Sequence, residues 1–304
     1  MEYEIRVLSI KSNDNIHTLA GKVYIPKGEI KGLLEVVHGM TEYIDRYDHL
    51  LSFLAQNGYV AFGFDNLGHG KTARNDSELG FIAHKDGWKY LVHDCVSYGK
   101  AVKEMFPDKP LYLMGHSMGS FITRLAVLHA PELYGKFIIC GTSGPNPLSG
   151  IGLLLTKFMR LTKGEKHVSK TIHNIAFGSY NKRFDRITDY EWLTKNREVI
   201  TQYANDKYCT FKFTVSAMTD LMKLLSKSNS RDWFNSISKQ LPILLISGED
   251  DPVGNYGKGV TTVCNRLKAQ NCKVEMKLYK NCRHEIHNDS CKDEMFADIL
   301  NFLA

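Results

Sequence analysis

The chain has 304 residues, 43% hydrophobic and 24% charged, with 24 Gly, 8 Pro and 7 Cys, proportions that exclude collagen-like, disordered and disulfide-scaffold classes. Its net charge is +6, and residues 145–240 hold 16 Lys and Arg against 8 Asp and Glu, so this segment carries +8 and the remainder −2. With no dense basic run or recognisable module, the excess reads as a solvated helical surface or an attraction for anionic head groups, and nucleic acid is not expected as a partner.

In chain order, residues 1–6 lack the basic patch and apolar stretch of a secretory signal, and no apolar run approaches the ~20 residues of a membrane span. These features predict an unexported, cytoplasmic protein. Residues 7–10 and 18–25, parted by the polar turn 11–15, predict an antiparallel hairpin. Nearly continuous apolar runs follow at 33–37, 59–64, 111–114, 137–140 and 243–246. Runs of four to six residues without polar alternation suit strands covered on both faces, the mark of a parallel sheet.

Between them, Trp88, Leu91, Val92, Cys95, Val96, Gly99, Val102, Met105 and Phe106 recur at helical spacing until Pro107 stops the pattern. Strand and helix alternate from 33 to 141 and again from 243 onward, which predicts a doubly wound α/β sheet. The piece 145–240 interrupts that rhythm: after the loop-rich 144–147, its periodic parts, near 153–161, 189–203 and 217–225, read as helices. The expected organisation is a core of residues 1–144 and 241–304 carrying a mostly helical insertion at 145–240. Seven scattered cysteines (Cys95, Cys140, Cys209, Cys264, Cys272, Cys282 and Cys291) contain no Cys-x-x-Cys pair and predict thiols in a reducing compartment, with no zinc site or disulfide framework.

The chemistry concentrates in Gly115-His116-Ser117-Met118-Gly119, which directly follows the run 111–114 and directly precedes a helical pattern (Phe121, Ile122, Leu125, Ala126, Leu128). A serine on such a sharp strand-to-helix turn has strained backbone angles and an exposed Oγ, and the flanking glycines let strand and helix approach. The N–H of Met118 then lies at a helix N-terminus, where developing negative charge is favoured. Serine alone is a weak nucleophile, so a base and an acid must follow. After the run 243–246, Asp250 and Asp251 both lie at a strand's C-terminal edge; Asp251 is preferred because Pro252 fixes the turn behind it. After a candidate strand at 274–279 come His284 and His287, either of which can serve as proton shuttle, while His116 reads as a locally packed residue. The chain order serine, carboxylate, histidine is that of α/β-hydrolases. A second oxyanion donor is expected from the turn His38-Gly39-Met40, and the loop 65–72 reads as a structural brace for the serine region.

On these residues the chain resembles α/β-hydrolases of the monoacylglycerol lipase and lysophospholipase type, grouped under the serine aminopeptidase label. The resemblance runs through His38-Gly39-Met40, residues 65–72, Gly115 to Gly119, Gly248-x-x-Asp251 and Arg283-His284-Glu285. It implies an α/β-hydrolase fold, a helical cap in the 145–240 insertion, and Ser117, Asp251 and His284 as the catalytic triad, with Asp251 favoured over Asp250 and His284 over His287. It also implies an oxyanion hole from the N–H groups of Met40 and Met118, no metal or organic cofactor, and hydrolysis of single-chain acyl esters through an acyl-enzyme. Aryl or cinnamoyl esters, aminopeptidase activity, and a non-catalytic binder of the same fold are the alternatives. The expected partner is a small-molecule acyl ester, with transient membrane-surface contact through the basic cap and no obligate protein partner. Two positions depart from the family pattern: Lys207 stands where Pro usually follows Asp, and Thr72 where Ser is commoner.

Overall fold

The computed structural model describes residues 2–146 and 149–304; residues 1, 147 and 148, which fall within ranges given above, lie outside the described residues. Eight strands form one sheet: β1 (Tyr3–Lys11), β2 (Thr18–Pro26), β3 (Gly32–Val37), β4 (Tyr59–Phe64), β5 (Leu111–His116), β6 (Lys136–Cys140), β7 (Ile243–Gly248) and β8 (Val274–Tyr279). Their order is β1-β2-β4-β3-β5-β6-β7-β8. The β1–β2 hairpin and the β2–β4 pairing are antiparallel, and every later pairing is parallel. This is the α/β-hydrolase fold expected from the sequence.

The helices in chain order are α1 (Asp48–Gln56), α2 (Gly87–Met105), α3 (Met118–His129), α4 (Ser149–Lys163), α5 (Lys170–Phe177), α6 (Arg197–Asn205), α7 (Lys207–Thr210), α8 (Val215–Ser228), α9 (Arg231–Ser236), α10 (Lys258–Ala269) and α11 (Lys292–Leu303). They explain why the central strands lack polar alternation. Leu33 and Val37, Leu111 and Leu113, and Ile243 and Leu245 face a core shared with α2, α3 and α10. The intervening Leu34 and Val36, Tyr112 and Met114, and Leu244 and Ile246 face a second core against α1 and α11. Period two is present, but both faces are apolar because both are covered. Burying each such side chain contributes roughly 1.5–3 kcal/mol.

Between β6 and β7 the described residues contain helices and no strand. The first and last predicted helices of this stretch correspond to α4 and α8, but the middle one is corrected. Residues 189–193 form turns and 194–196 no regular element, and α6 begins only at Arg197, where the Asn196 side chain accepts the N–H groups of Glu198 (3.0 Å) and Val199 (3.4 Å). The carbonyls of residues 191–194 accept from residues 283–285 in place of a helical ladder. Val215, Met218 and Leu224 of α8 and Trp233 and Phe234 of α9 belong to the main core with α3. Leu154 and Phe158 of α4 face solvent, with 69% and 64% of their surface exposed, whereas Leu155 and Met159 of the same helix pack against the main core. No helix among the described residues is long and apolar enough to cross a membrane.

The cysteine expectation is also corrected. Cys282 and Cys291 are joined as a disulfide with Cα atoms 6.6 Å apart, closing a short loop that contains His284. The two lie only nine residues apart, and the turn after β8, folding back before α11, brings them together although their spacing carries no motif. The other five cysteines are buried thiols.

One charged residue stands out in the sheet. Glu35 of β3 is fully buried, and its Oε2 accepts from Tyr134 Oη (3.1 Å). Burial pushes its carboxyl well above the usual carboxylate range, and the bonds from Tyr134 and Cys95 offset only part of that. A carboxyl that holds its proton more tightly folded than unfolded stabilises the fold fully below its unfolded pKa. That stability is lost as pH rises toward the folded value, by up to ~1.4 kcal/mol per pH unit. Glu35→Gln is therefore expected to melt at a higher temperature than the unsubstituted protein, with a gap that widens from pH 5 to pH 7. A gap independent of pH in parallel thermal melts would contradict the assignment.

Candidate active site

Ser117 lies between β5 and α3 with φ +54° and ψ −119°, a conformation that costs a side-chain-bearing residue of order 1–3 kcal/mol. The flanking glycines make it feasible. A Cβ on Gly115 would collide with the carbonyl of Gly119, and one on Gly119 with the carbonyl of Val37, so strand and helix can close this tightly only at glycine. The turn is held by the N–H of Ser117 donating to the carbonyl of Cys140 (3.0 Å) and by Ser120 Oγ donating to the carbonyl of Ser117 (2.6 Å).

Asp251 follows the end of β7 and is fully buried. Its Oδ2 accepts from His284 Nδ1 (3.0 Å) and Ser247 Oγ (3.1 Å), and its Oδ1 from the N–H of Val253 (2.8 Å). Because an ionised carboxylate only accepts, the imidazole proton belongs on Nδ1, which leaves Nε2 free to accept. Asp250 points elsewhere: its carboxylate is 44% exposed and lies 3.9 Å from Lys195 Nζ. His287 is likewise apart, stacked 4.4 Å from the Tyr47 ring with neither ring nitrogen bonded to protein. Burial, together with the charge of His116, holds His287 well below the usual imidazole range and hence neutral. The structure thus joins Asp251 and His284 and leaves out their neighbours.

The His284 ring also borders the serine turn, since a Cβ at Gly141 would come within 3.2 Å of His284 Cε1, and Cys140, the preceding residue, receives the N–H of Ser117. The Ser117 hydroxyl itself makes no hydrogen bond among the described residues. The Asp251–His284 contact is formed, and no hydrogen bond joins His284 to the Ser117 hydroxyl.

The turn after β3 passes over the serine, where a Cβ on Gly39 would lie 3.0 Å from Ser117 Cβ. Met40 therefore lies one residue beyond this contact, and Met118 opens α3. Buried His38 shapes the turn: Nδ1 donates to the carbonyl of Gly39 (2.8 Å), and Nε2 accepts the N–H of Asn66 (2.9 Å). That arrangement needs a neutral ring, and burial does lower its pKa. Asp65 completes the brace by accepting the N–H groups of Ile44 (2.8 Å) and Lys71 (2.7 Å).

Sequence reasoning missed the buried cluster beneath. Glu42 Oε1 accepts the N–H of Gly39 (2.5 Å) and Tyr47 Oη (2.9 Å) and lies 3.1 Å from His116 Nδ1. His116 Nε2 donates to the carbonyl of His284 (3.2 Å). Burial opposes both charges, but the Glu42–His116 bond wins, lowering the carboxyl pKa and raising that of the imidazole. His116, through Glu42, thus links the His38 to Met40 turn to the loop that carries His284. The only local signal was Glu42 itself, four residues after His38 in a turn already singled out. Among the described residues no group of three or more His, Cys, Asp or Glu side chains is arranged to hold a metal ion. A surface cavity of about 610 Å³ beside Trp88 and Trp233 shares no residue with this site.

Residues 28–291 match the family model described as serine aminopeptidase, S33. The chain belongs to that family. By this membership it is an α/β-hydrolase of the monoacylglycerol lipase and lysophospholipase type. A monoglyceride lipase homolog of Monkeypox virus is 25% identical over 95% of this chain and 92% of its own. The monoglyceride lipase of Rattus norvegicus is 25% identical over 87% and 78%. A solved structure of a thermostable carboxyl esterase from Bacillus coagulans in complex with glycerol has a TM-score of 0.93 at 29% identity, covering 98% of this chain and 97% of that one. As a family member the chain is a hydrolase; Ser117 after β5, Asp251 after β7 and His284 after β8 all follow the C-terminal ends of parallel strands.

Proposed function

We propose that the protein is a serine carboxylic-ester hydrolase acting on single-chain acyl esters of the monoacylglycerol or lysophospholipid type. The observation that carries the reading is the His284 Nδ1–Asp251 Oδ2 bond, beside a serine held at positive φ under the His38 to Met40 turn. Ser117 Oγ attacks the ester carbonyl carbon as its proton passes to His284 Nε2, while Asp251 stabilises the imidazolium. The N–H groups of Met40 and Met118 hold the oxyanion; such a donor typically contributes ~3–4 kcal/mol to the transition state. Collapse breaks the bond to the alcohol, which leaves with the proton from His284. Water, activated by the same ring, then attacks the acyl-enzyme, frees the acid and restores the serine.

Residues 1–144 and 241–304 form the catalytic body in this reading, and 145–240 the cap over it. Ile151, Leu154, Phe158 and Leu161 of α4 project into solvent at helical spacing, with Lys157, Arg160 and Lys163 on the same helix. An exposed apolar stripe among cations suits transient contact with an anionic lipid surface. Leu154→Ser combined with Phe158→Ser is expected to reduce co-sedimentation with anionic phospholipid vesicles severalfold while sparing hydrolysis of soluble esters; undiminished binding would reject the contact. A cytoplasmic location is proposed from the five buried free thiols.

A rate series over p-nitrophenyl acyl esters, monoacylglycerols, lysophospholipids, cinnamoyl esters and aminoacyl amides tests the substrate class. Preference for the single-chain acyl esters supports the reading. Preference for amides or cinnamoyl esters replaces the substrate assignment, and absence of turnover on every member rejects the enzyme mechanism.

A further inference from the structure

Residues 188–194, ahead of α6, lie along the loop that carries His284. The N–H of His284 donates to the carbonyl of Trp192 (3.3 Å), and that of Glu285 to the carbonyl of Leu193 (2.7 Å). Arg283 Nη1 donates to the carbonyls of Glu191 (2.5 Å) and Thr194 (3.0 Å), and Thr194 Oγ1 to the carbonyl of Asn288 (3.0 Å). Four consecutive carbonyls are thus turned toward the base loop, and the Trp192 ring stands 5.1 Å from the His284 imidazole.

The feature that folds this strap is the Glu191 carboxylate, which is fully buried. Arg197 Nη1 donates to both of its oxygens (2.8 and 2.7 Å), and Thr188 donates to Oε1 through its N–H (3.2 Å) and Oγ1 (3.0 Å). Arg283 Nη1, from the residue adjoining the base, is 3.8 Å from Oε2. A buried carboxylate is tolerated only when so surrounded, so the chain from 188 to 197 must close around it. Closing it delivers the carbonyls of Trp192 and Leu193 to the backbone on either side of the His284 Cα.

We infer that Glu191 is a positioning residue for His284. It touches neither a reacting atom nor a substrate. It gathers Thr188, Arg197 and Arg283 into a clasp that holds the backbone of the base loop, leaving Asp251 and the Trp192 ring to hold the imidazole. The kinetic consequence rests on the hydrolase reading above: an imidazole displaced by about 1 Å costs on the order of 10²-fold in rate without changing what binds substrate. The geometric claim does not depend on that reading.

The test uses the full chain with Glu191→Gln and, as a milder lesion on a half-exposed arm, Arg197→Met. Two readouts are taken: kcat and KM on a soluble short-chain p-nitrophenyl ester, and the proton NMR signal of His284 Nδ1–H in its bond to Asp251. Expected are a 10- to 100-fold fall in kcat with KM within about threefold, and loss of the Nδ1–H signal through faster exchange with water, at unchanged circular dichroism. Unchanged kcat with a persistent signal in both variants overturns the inference. Should Glu191→Gln fail to fold, Arg197→Met decides by the same two readouts. Should the unsubstituted protein hydrolyse no ester, the hydrolase reading fails, and persistence or loss of the signal still decides the clasp.

Discussion

Ser117→Ala is expected to lower kcat/KM on a soluble p-nitrophenyl ester by about 10⁴-fold or more, equivalent to about 5.5 kcal/mol of lost transition-state stabilisation. The substitution removes one oxygen and nothing that holds the elbow. The bonds there run through the backbone N–H and carbonyl of Ser117, and the positive φ is imposed by the packing of Gly115 and Gly119. The melting temperature should therefore stay within a few degrees, separating loss of chemistry from loss of fold. A residual rate above the uncatalysed reaction is expected from oxyanion donors that remain in place. A fluorophosphonate probe should label the unsubstituted protein at Ser117 and leave the variant unlabelled. Hydrolysis by the variant within tenfold of the original would reject the serine mechanism.

The second large effect separates two adjacent carboxylates. Asp251→Asn keeps the side-chain shape and still accepts the N–H of Val253, but it cannot serve His284 Nδ1 and Ser247 Oγ with an acceptor of the same charge. An amide facing Nδ1 favours the tautomer with the proton on Nε2, which cannot take a proton from Ser117. A fall in kcat of about 10⁴-fold is expected. Asp250→Asn, whose carboxylate stands half in solvent near Lys195, should stay within twofold. The opposite ranking in side-by-side kinetics would move the acid to Asp250.

Much of this arrangement was legible along the chain because its causes are local. Apolar runs marked the five central strands, since a strand covered on both faces has no reason to alternate. The Gly115 to Gly119 pentapeptide was informative only between a strand and a helix pattern, because the close approach it permits occurs only there. The reading of 189–203 as one helix failed for the converse reason. Its apolar spacing suits a helix, but Glu191 demands burial with two arginines, and the carbonyls of Trp192 and Leu193 bond to a loop about ninety residues away.

By itself, then, the sequence determined the parallel sheet, its N-terminal hairpin, the helical stretch between β6 and β7, and the serine at a strand-to-helix turn. Each depends on neighbours within about a dozen residues, whose periodicity and sterics act before any distant contact forms. Only the tertiary structure brought Asp251, the aspartate the sequence already preferred, onto His284 across 33 residues, and made Glu42 and His116 a bridge to a loop 168 residues beyond the elbow. Those choices turn on direction and burial, and a side chain acquires both only when the sheet has closed and its helices have docked.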